Sequence, residues 1–181
     1  MNTLIPRELI AKSIFENAIK SAGQISGYLD ASQIEKKKSI TSIIGFEFMY
    51  LFLHLISREF YSWYGKDFRK NELTKLSPIV ISPTIETLYG NQSQEVKAKM
   101  INVFYDDLNT RELEYGICKE LLIKNQEFSG NAVLTLFAKK IAVIMESVSN
   151  PEIITRSIEL AISSWTQIRS LLPAPTGLTA K

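Results

Sequence analysis

The sequence contains one cysteine and one histidine among its 181 residues. A structural zinc site usually draws on several His and Cys ligands, and a carboxylate di-iron bundle needs two Glu-x-x-His pairs. No glycine-rich phosphate loop and no nucleophile elbow is present either. The sequence therefore predicts no metal and no cofactor, and it favours a role without catalysis.

The lone cysteine also bears on location. Cys118 has no second cysteine with which to form an intrachain disulfide, which favours a reducing compartment. At the N-terminus, Pro6 and the charged Arg7 and Glu8 precede any long apolar run, so no signal peptide is recognisable. We expect a cytoplasmic protein.

The chain has almost no excess of one charge sign, with 21 Lys and Arg residues against 19 Asp and Glu residues. A net charge this small provides no global attraction to nucleic acid or to an anionic membrane. Binding to either would depend on a local basic patch.

Apolar residues recur at intervals of three and four along nearly every long segment, which predicts an all-α fold. The length suits one domain with a single core. We expect a single-domain bundle of about six helices over 1–181, with an irregular tail at 173–181. The predicted helices cover roughly 6–26, 34–64, 67–76, 94–124, a segment after Gly130-Asn131, and a segment that begins at Asn150-Pro151.

Two Ser-Pro pairs interrupt the helical pattern after residue 76. The residue before a proline avoids the helical conformation, and proline lacks the amide that an interior helical position uses. Ser77-Pro78 and Ser82-Pro83 therefore predict breaks, although Ser82 could cap a short helix that extends to Tyr89.

The predicted helix 34–64 contains a long apolar stretch, 39–57, that only Glu47 and His54 interrupt. By its length and its basic flanks this stretch is also a candidate membrane span. Ionisable groups at mid-membrane depth cost about 2.5 kcal/mol or more each, however, and the other predicted helices need a core to cover. We therefore predict the central helix of a bundle and do not expect a membrane protein.

Polar side chains follow one face of this helix at spacings of three and four: Glu47, Tyr50, His54, Arg58 and Tyr61. We call them the polar row. Three interpretations are open: a narrow solvated face, a buried network in which His54 or Arg58 meets a carboxylate from another helix, or a functional pocket. In a pocket, His54 would act as an acid or base and Arg58 would bind an anion.

The predicted helix 94–124 is the expected source of partners for the polar row. Its apolar stripe includes Phe104, Leu108 and Tyr115, and Tyr105 and Glu112 lie closest to that stripe. We predict that Tyr105 and Glu112 point toward a neighbouring helix or a cavity, and we group them with the polar row as candidate binding residues.

The segment after His54 mixes basic and aromatic residues. Its basic members are Lys66, Arg69, Lys70 and Lys75, and its aromatic members are Phe60, Tyr61, Trp63, Tyr64 and Phe68. Such a mixture can hold phosphates and stack bases. The alternative is that the aromatic side chains belong to the core and the basic ones are solvated.

The leading hypothesis is a non-enzymatic interaction or regulatory protein that acts through a helical surface. Its partner would be another protein or a second copy of the chain, since symmetric homodimers are the commonest oligomers. Nucleic-acid binding through 58–75 and a small-molecule or enzymatic pocket around His54 are the alternatives.

Overall fold

The computed structural model describes residues 5–29, 34–121 and 132–173. Within these ranges the chain forms six helices, and the predicted all-α bundle is confirmed. The six helices are α1 (Arg7–Ser26), α2 (Ile34–Tyr64), α3 (Lys66–Tyr89), α4 (Gln94–Gly116), α5 (Val133–Ile144) and α6 (Pro151–Arg169). The predicted tail lies outside the described residues beyond Pro173.

The central element is α2, which contacts each of the other five helices. Apolar side chains surround most of its circumference, and Phe48, Leu51, Phe52 and Ile56 are fully buried in a core to which all six helices contribute. Among the described residues, α2 is the one helix long and apolar enough to cross a membrane. In this fold, 72% of its most apolar stretch is buried.

Gly65 separates α2 from α3. Its φ of 84° is a left-handed conformation, which is unfavourable for residues with a side chain. The Gly65 amide donates to the carbonyl of Tyr61, and the Gly65 carbonyl accepts from the amide of Arg69. This one-residue joint ends one helix and starts the next, so the C-terminal turns of α2 lie beside the first turns of α3.

The predicted breaks at the two Ser-Pro pairs are wrong, because α3 continues through both. Pro78 and Pro83 are exposed, and the opposite side of α3 is buried. Its buried apolar residues are Leu76, Val80, Ile81 and Ile85. An interior proline costs about 3 kcal/mol, whereas each such buried side chain contributes about 1.5–3 kcal/mol. Core packing therefore outweighs the prolines.

The predicted end of α4 at 124 is also wrong, because the helix ends at Gly116. Beyond it, Arg58 donates hydrogen bonds to the carbonyls of Cys118 at 3.0 Å and Lys119 at 3.1 Å. The carbonyls of residues 120 and 121 accept from the first two amides of α5. The carbonyls of residues 118–121 are thus used by donors from α2 and α5, and those of residues 120 and 121 provide α5 with acceptors that its N-terminus needs.

Candidate functional site

The polar row of α2 is buried at one end and open at the other. Glu47, Tyr50 and His54 are each 3% exposed, whereas Tyr61 is 57% exposed and Arg58 is half-buried. A solvated face therefore describes only the C-terminal end of the row. The buried members need polar partners, and α4 provides them.

Glu47 is paired with Arg111 of α4. The Nε of Arg111 donates to both carboxylate oxygens, at 3.0 and 2.9 Å, and its Nη2 donates to Oε1 at 2.5 Å. These bonds raise the pKa of Arg111 above its already high value, against the effect of burial. Arg111 Nη1 donates to Glu114 at 3.2 Å, and Lys140 of α5 lies 2.9 Å from the same carboxylate. Through Glu114, the pair belongs to a network that links α2, α4 and α5.

Arg111 is missing from the sequence-based candidates, although the sequence carries a signal for it. Together with Phe104, Leu108 and Tyr115 it follows the spacing of four, three and four residues that defines the apolar stripe of α4. A charged residue on such a stripe requires a buried partner. Glu47, inside the apolar stretch of α2, is the complementary charge.

His54 contacts Glu112, with 3.1 Å between Nδ1 and Oε1. An ionised carboxylate only accepts hydrogen bonds, so we assign a proton to Nδ1. The second oxygen of Glu112 accepts from Arg69 Nη2 at 2.7 Å and from the Ser57 hydroxyl at 3.3 Å. Arg69 Nε donates to the same hydroxyl at 2.6 Å. Glu112 therefore joins α2, α3 and α4 at one point.

Three protein donors hold Glu112 as a carboxylate. Burial alone would raise its pKa, but the hydrogen bond and charge of His54, the charge of Arg69 and the hydroxyl of Ser57 lower the pKa below its ordinary value. The negative charge of Glu112 is therefore balanced inside the protein.

The other ring nitrogen of His54, Nε2, is buried and has no hydrogen-bond partner among the described residues. The same holds for the hydroxyl of Tyr115, whose ring centroid lies 5.4 Å from that of His54. Burial raises the pKa of Tyr115 well above its ordinary value, so the phenol stays protonated. The nearby Ser57 hydroxyl contacts Arg69 and Glu112, so it is engaged away from Nε2.

Tyr50 and Tyr105, the candidate tyrosines besides Tyr61, have different environments. Tyr50 donates a hydrogen bond of 3.4 Å to Asp107, and burial, together with the charges of Asp107 and Glu47, raises its pKa. Tyr105 is half-buried, and burial raises its pKa as well. Tyr50 lies at the interface of α2 and α4 and lines a small pocket of about 190 Å³ there, whereas Tyr105 lines a larger groove.

Two adjoining grooves flank α4. Groove A lies between α2 and α4, has a volume of about 730 Å³, and brings together His54, Arg58 and Tyr61. Groove B lies between α3 and α4, has a volume of about 580 Å³, and contains Tyr105. Both grooves are lined by Arg69, Asn109 and Glu112, so they meet at these residues.

The basic residues of the nucleic-acid alternative do not all lie together. Lys66, Arg69 and Lys70 line groove B, whereas Lys75 lies 3.7 Å from the carboxylate of Glu72. The aromatic members are largely used in the fold: Phe60 is fully buried, and Trp63, Tyr64 and Phe68 pack against the core. Tyr61 is the ring of this set that stays exposed.

Within the described ranges no group of three or more His, Cys, Asp and Glu side chains is arranged to hold a metal ion. The chain also matches no family model, no curated protein and no solved structure. Grooves A and B are therefore the features that indicate what the protein can bind.

Proposed function

We propose that the protein is a non-enzymatic binding protein that recognises an anionic ligand at grooves A and B. The observation that carries this proposal is the charge of the lining. Four cationic side chains and one carboxylate line the two grooves: Arg58, Lys66, Arg69, Lys70 and Glu112. Glu112 neutralises one of these charges through its ion pair with Arg69, which leaves Arg58, Lys66 and Lys70 as the net positive charge of the lining.

The cations themselves are only partly neutralised. Both terminal nitrogens of Arg58 donate to backbone carbonyls, which orients its side chain without a compensating charge. In the part of the chain that the structure describes, no carboxylate lies within 4.0 Å of Lys66 or Lys70, whereas Arg69 pairs with Glu112. Positive groups in a concave, partly desolvated surface attract anions more strongly than isolated surface lysines do.

This proposal retains the leading hypothesis of an interaction or regulatory role and moves its centre from the polar row to the grooves beside it. An enzymatic role for His54 has less support, because Nε2 is buried and Ser57 is engaged elsewhere. Nucleic-acid binding has less support because base stacking needs accessible rings, and all the aromatic residues of this segment except Tyr61 pack into or against the core.

The proposal can be tested with pyrophosphate and citrate as probes. We expect either anion, at low ionic strength, to shift the amide NMR signals of residues 57–74 and 105–113. The variant Lys66→Ala/Lys70→Ala should lose most of this response. A matched control, Lys20→Ala/Lys139→Ala, removes two exposed lysines of α1 and α5 and should respond normally. Equal loss in both variants would contradict a specific site.

A second copy of the chain is a second candidate partner. Leu113 is 76% exposed and lines groove A beside Tyr61, and Ile117, one turn further along, is 80% exposed. Large apolar side chains of this exposure are suited to an interface. Self-association and a cytoplasmic location both stay predictions, which light scattering and cell fractionation test.

A further inference from the structure

We infer that groove B binds an amphiphilic anion, in which a carboxylate or phosphate head group is joined to an apolar tail. This inference rests on the proposed function and specifies the chemical class of the anionic ligand. It comes from the way in which charge and apolar surface are distributed along the groove.

Polarity changes from one end of groove B to the other along α3. The first residues of α3 to line the groove are cationic: Lys66, Arg69 and Lys70. The later ones are Leu73, Thr74, Ser77 and Pro78, none of which is charged. The cationic side chains therefore occupy one end of the α3 wall.

The wall formed by α4 shows the same change. Helices α3 and α4 are joined by a short turn, so they run antiparallel. The contact between Arg69 and Glu112 places the polar residues Asn109 and Glu112 at the cationic end. Leu108 and Tyr105, earlier in α4, continue toward the uncharged end, and Leu53 of α2 adds a further apolar side chain. Both walls thus define a cationic end and an uncharged end, the latter with apolar side chains and two hydroxyl-bearing ones, Thr74 and Ser77.

The cationic end is prepared to hold one anionic group. Arg69 is fixed by its bonds to Ser57 and Glu112 through Nε and Nη2, so its orientation is set before a ligand arrives. Lys66 and Lys70, exposed and one turn apart, remain available to bind oxygen atoms of a head group. Preorganisation of this kind lowers the entropic cost of binding.

The dimensions of groove B suit a small amphiphile. The α3 wall from Lys66 to Pro78 is about 18 Å long at about 1.5 Å per residue. The groove volume of about 580 Å³ falls inside the range of small-molecule sites. An acidic peptide or a nucleic-acid strand would instead match cations repeated along the whole groove, and here they are confined to one end.

Calorimetric titration with acetate, hexanoate and decanoate, all below micelle concentrations, tests the inference. We expect affinity to rise about two- to fourfold with each methylene from hexanoate to decanoate, the upper value corresponding to complete burial. Decyl phosphate carries a tail one methylene longer on the other candidate head group, and its affinity, corrected for that methylene, identifies the preferred head group. Decyltrimethylammonium carries the decyl tail on a cationic head, and it should not bind.

Two variants separate head from tail. Lys66→Ala/Lys70→Ala should weaken binding of every acid about fivefold or more while the ratio of decanoate to hexanoate affinity stays unchanged. Leu73→Ala should reduce that ratio, with its thermal melting curve as the check of folding. Amide shifts of the unaltered protein with decanoate should map to residues 66–78 and 105–112, and Lys20→Ala/Lys139→Ala should bind normally.

The outcomes distinguish this inference from the proposed function. If pyrophosphate binds and decanoate binds no better than acetate, the inference is overturned and the proposed function stands. Equal binding of decyltrimethylammonium and decanoate would overturn the inference as well, because the head group would then be irrelevant. If neither pyrophosphate nor any acid binds, both fail. A single-stranded oligonucleotide could instead bind at Lys66, Arg69 and Lys70 more tightly than decanoate, with an affinity that falls steeply with salt. That result would overturn the inference in favour of nucleic-acid binding.

Discussion

The guanidinium of Arg111 and the carboxylate of Glu47 form a buried ion pair that joins α4 to α2 through hydrogen bonds of 3.0, 2.9 and 2.5 Å. Their side chains are 19% and 5% exposed. Two turns further along α2, on the same helix face, His54 meets Glu112, the residue after Arg111. The register set by the Glu47–Arg111 pair therefore also positions the carboxylate that joins grooves A and B.

Arg111→Met should lower the free energy of unfolding by about 3–5 kcal/mol, because it leaves the buried carboxylate of Glu47 without a counter-charge. Replacing both partners, Glu47→Leu/Arg111→Met, should recover most of that loss, since no unpaired charge then remains. Urea denaturation followed by circular dichroism measures both changes.

Arg156→Met is the matched control for this prediction. Arg156 pairs with Glu159 on the exposed face of α6 at 3.1 Å, with side chains 40% and 58% exposed, and such pairs contribute about 1 kcal/mol or less. An Arg111→Met variant no more destabilised than Arg156→Met would show that the Glu47 pair is not buried in solution.

Glu112→Gln should make stability less dependent on pH. The pKa of Glu112 in the folded protein lies below its ordinary value of 4.5, so its contribution is fully present above pH 4.5 and is lost as the pH falls through the folded-state pKa. At pH 7 the substitution should cost about 1.5–3 kcal/mol, the range for hydrogen bonds to charged groups. The gap between the two proteins should stay constant from pH 7 to about pH 4.5 and narrow below it.

Urea titrations at a series of pH values measure that gap. Glu16→Gln, which removes an exposed carboxylate of α1, is the control and should run parallel to the unaltered protein. A gap for Glu112→Gln that stays constant down to pH 3 would contradict the proposed role of its hydrogen bonds with His54, Arg69 and Ser57.

The sequence predicts the features of this fold that local chemistry determines. The end of α2 follows from Gly65, and the polar row follows from spacings of three and four around Glu47 and His54. The choice of α4 as the helix that meets the row, with Glu112 at the contact, follows from the position of Glu112 beside an apolar stripe. Each of these predictions uses a pattern within one helix or at its end, although the contact between His54 and Glu112 joins residues 58 positions apart.

Features that depend on distant residues are not predictable in this way. Arg111 meets Glu47, and Arg69 meets Glu112, only after three helices have packed. The continuation of α3 through Pro78 likewise depends on the core that its opposite face covers. Local propensity is outweighed there by tertiary packing, and the resulting unbroken helix is what forms one wall of groove B.

Pro78→Ala should raise the free energy of unfolding by about 1–2 kcal/mol. Alanine restores an amide that can donate to the carbonyl four residues earlier, and its advantage of about 3 kcal/mol over proline inside a helix is reduced by the greater entropy of the unfolded chain. Urea denaturation measures the change. Pro6→Ala, at the N-cap position of α1, is the control and should change little; a destabilised Pro78→Ala variant would mean that α3 needs the proline for its packing.

Leu113→Ser/Ile117→Ser should shift the protein toward the monomer if α4 forms a self-association surface. Both side chains are mostly exposed, so the substitution removes apolar area from a dimer interface while it disturbs the folded monomer little. Light scattering at increasing concentration should give a mass above 20.5 kDa for the unaltered chain and near 20.5 kDa for the variant. Leu9→Ser/Ile162→Ser removes two exposed apolar residues of α1 and α6 and should associate normally. If the unaltered protein has the mass of one chain at every concentration, the homodimer proposal is wrong. Anion binding at grooves A and B would be unaffected by that result, because neither substitution changes a cationic residue of the grooves.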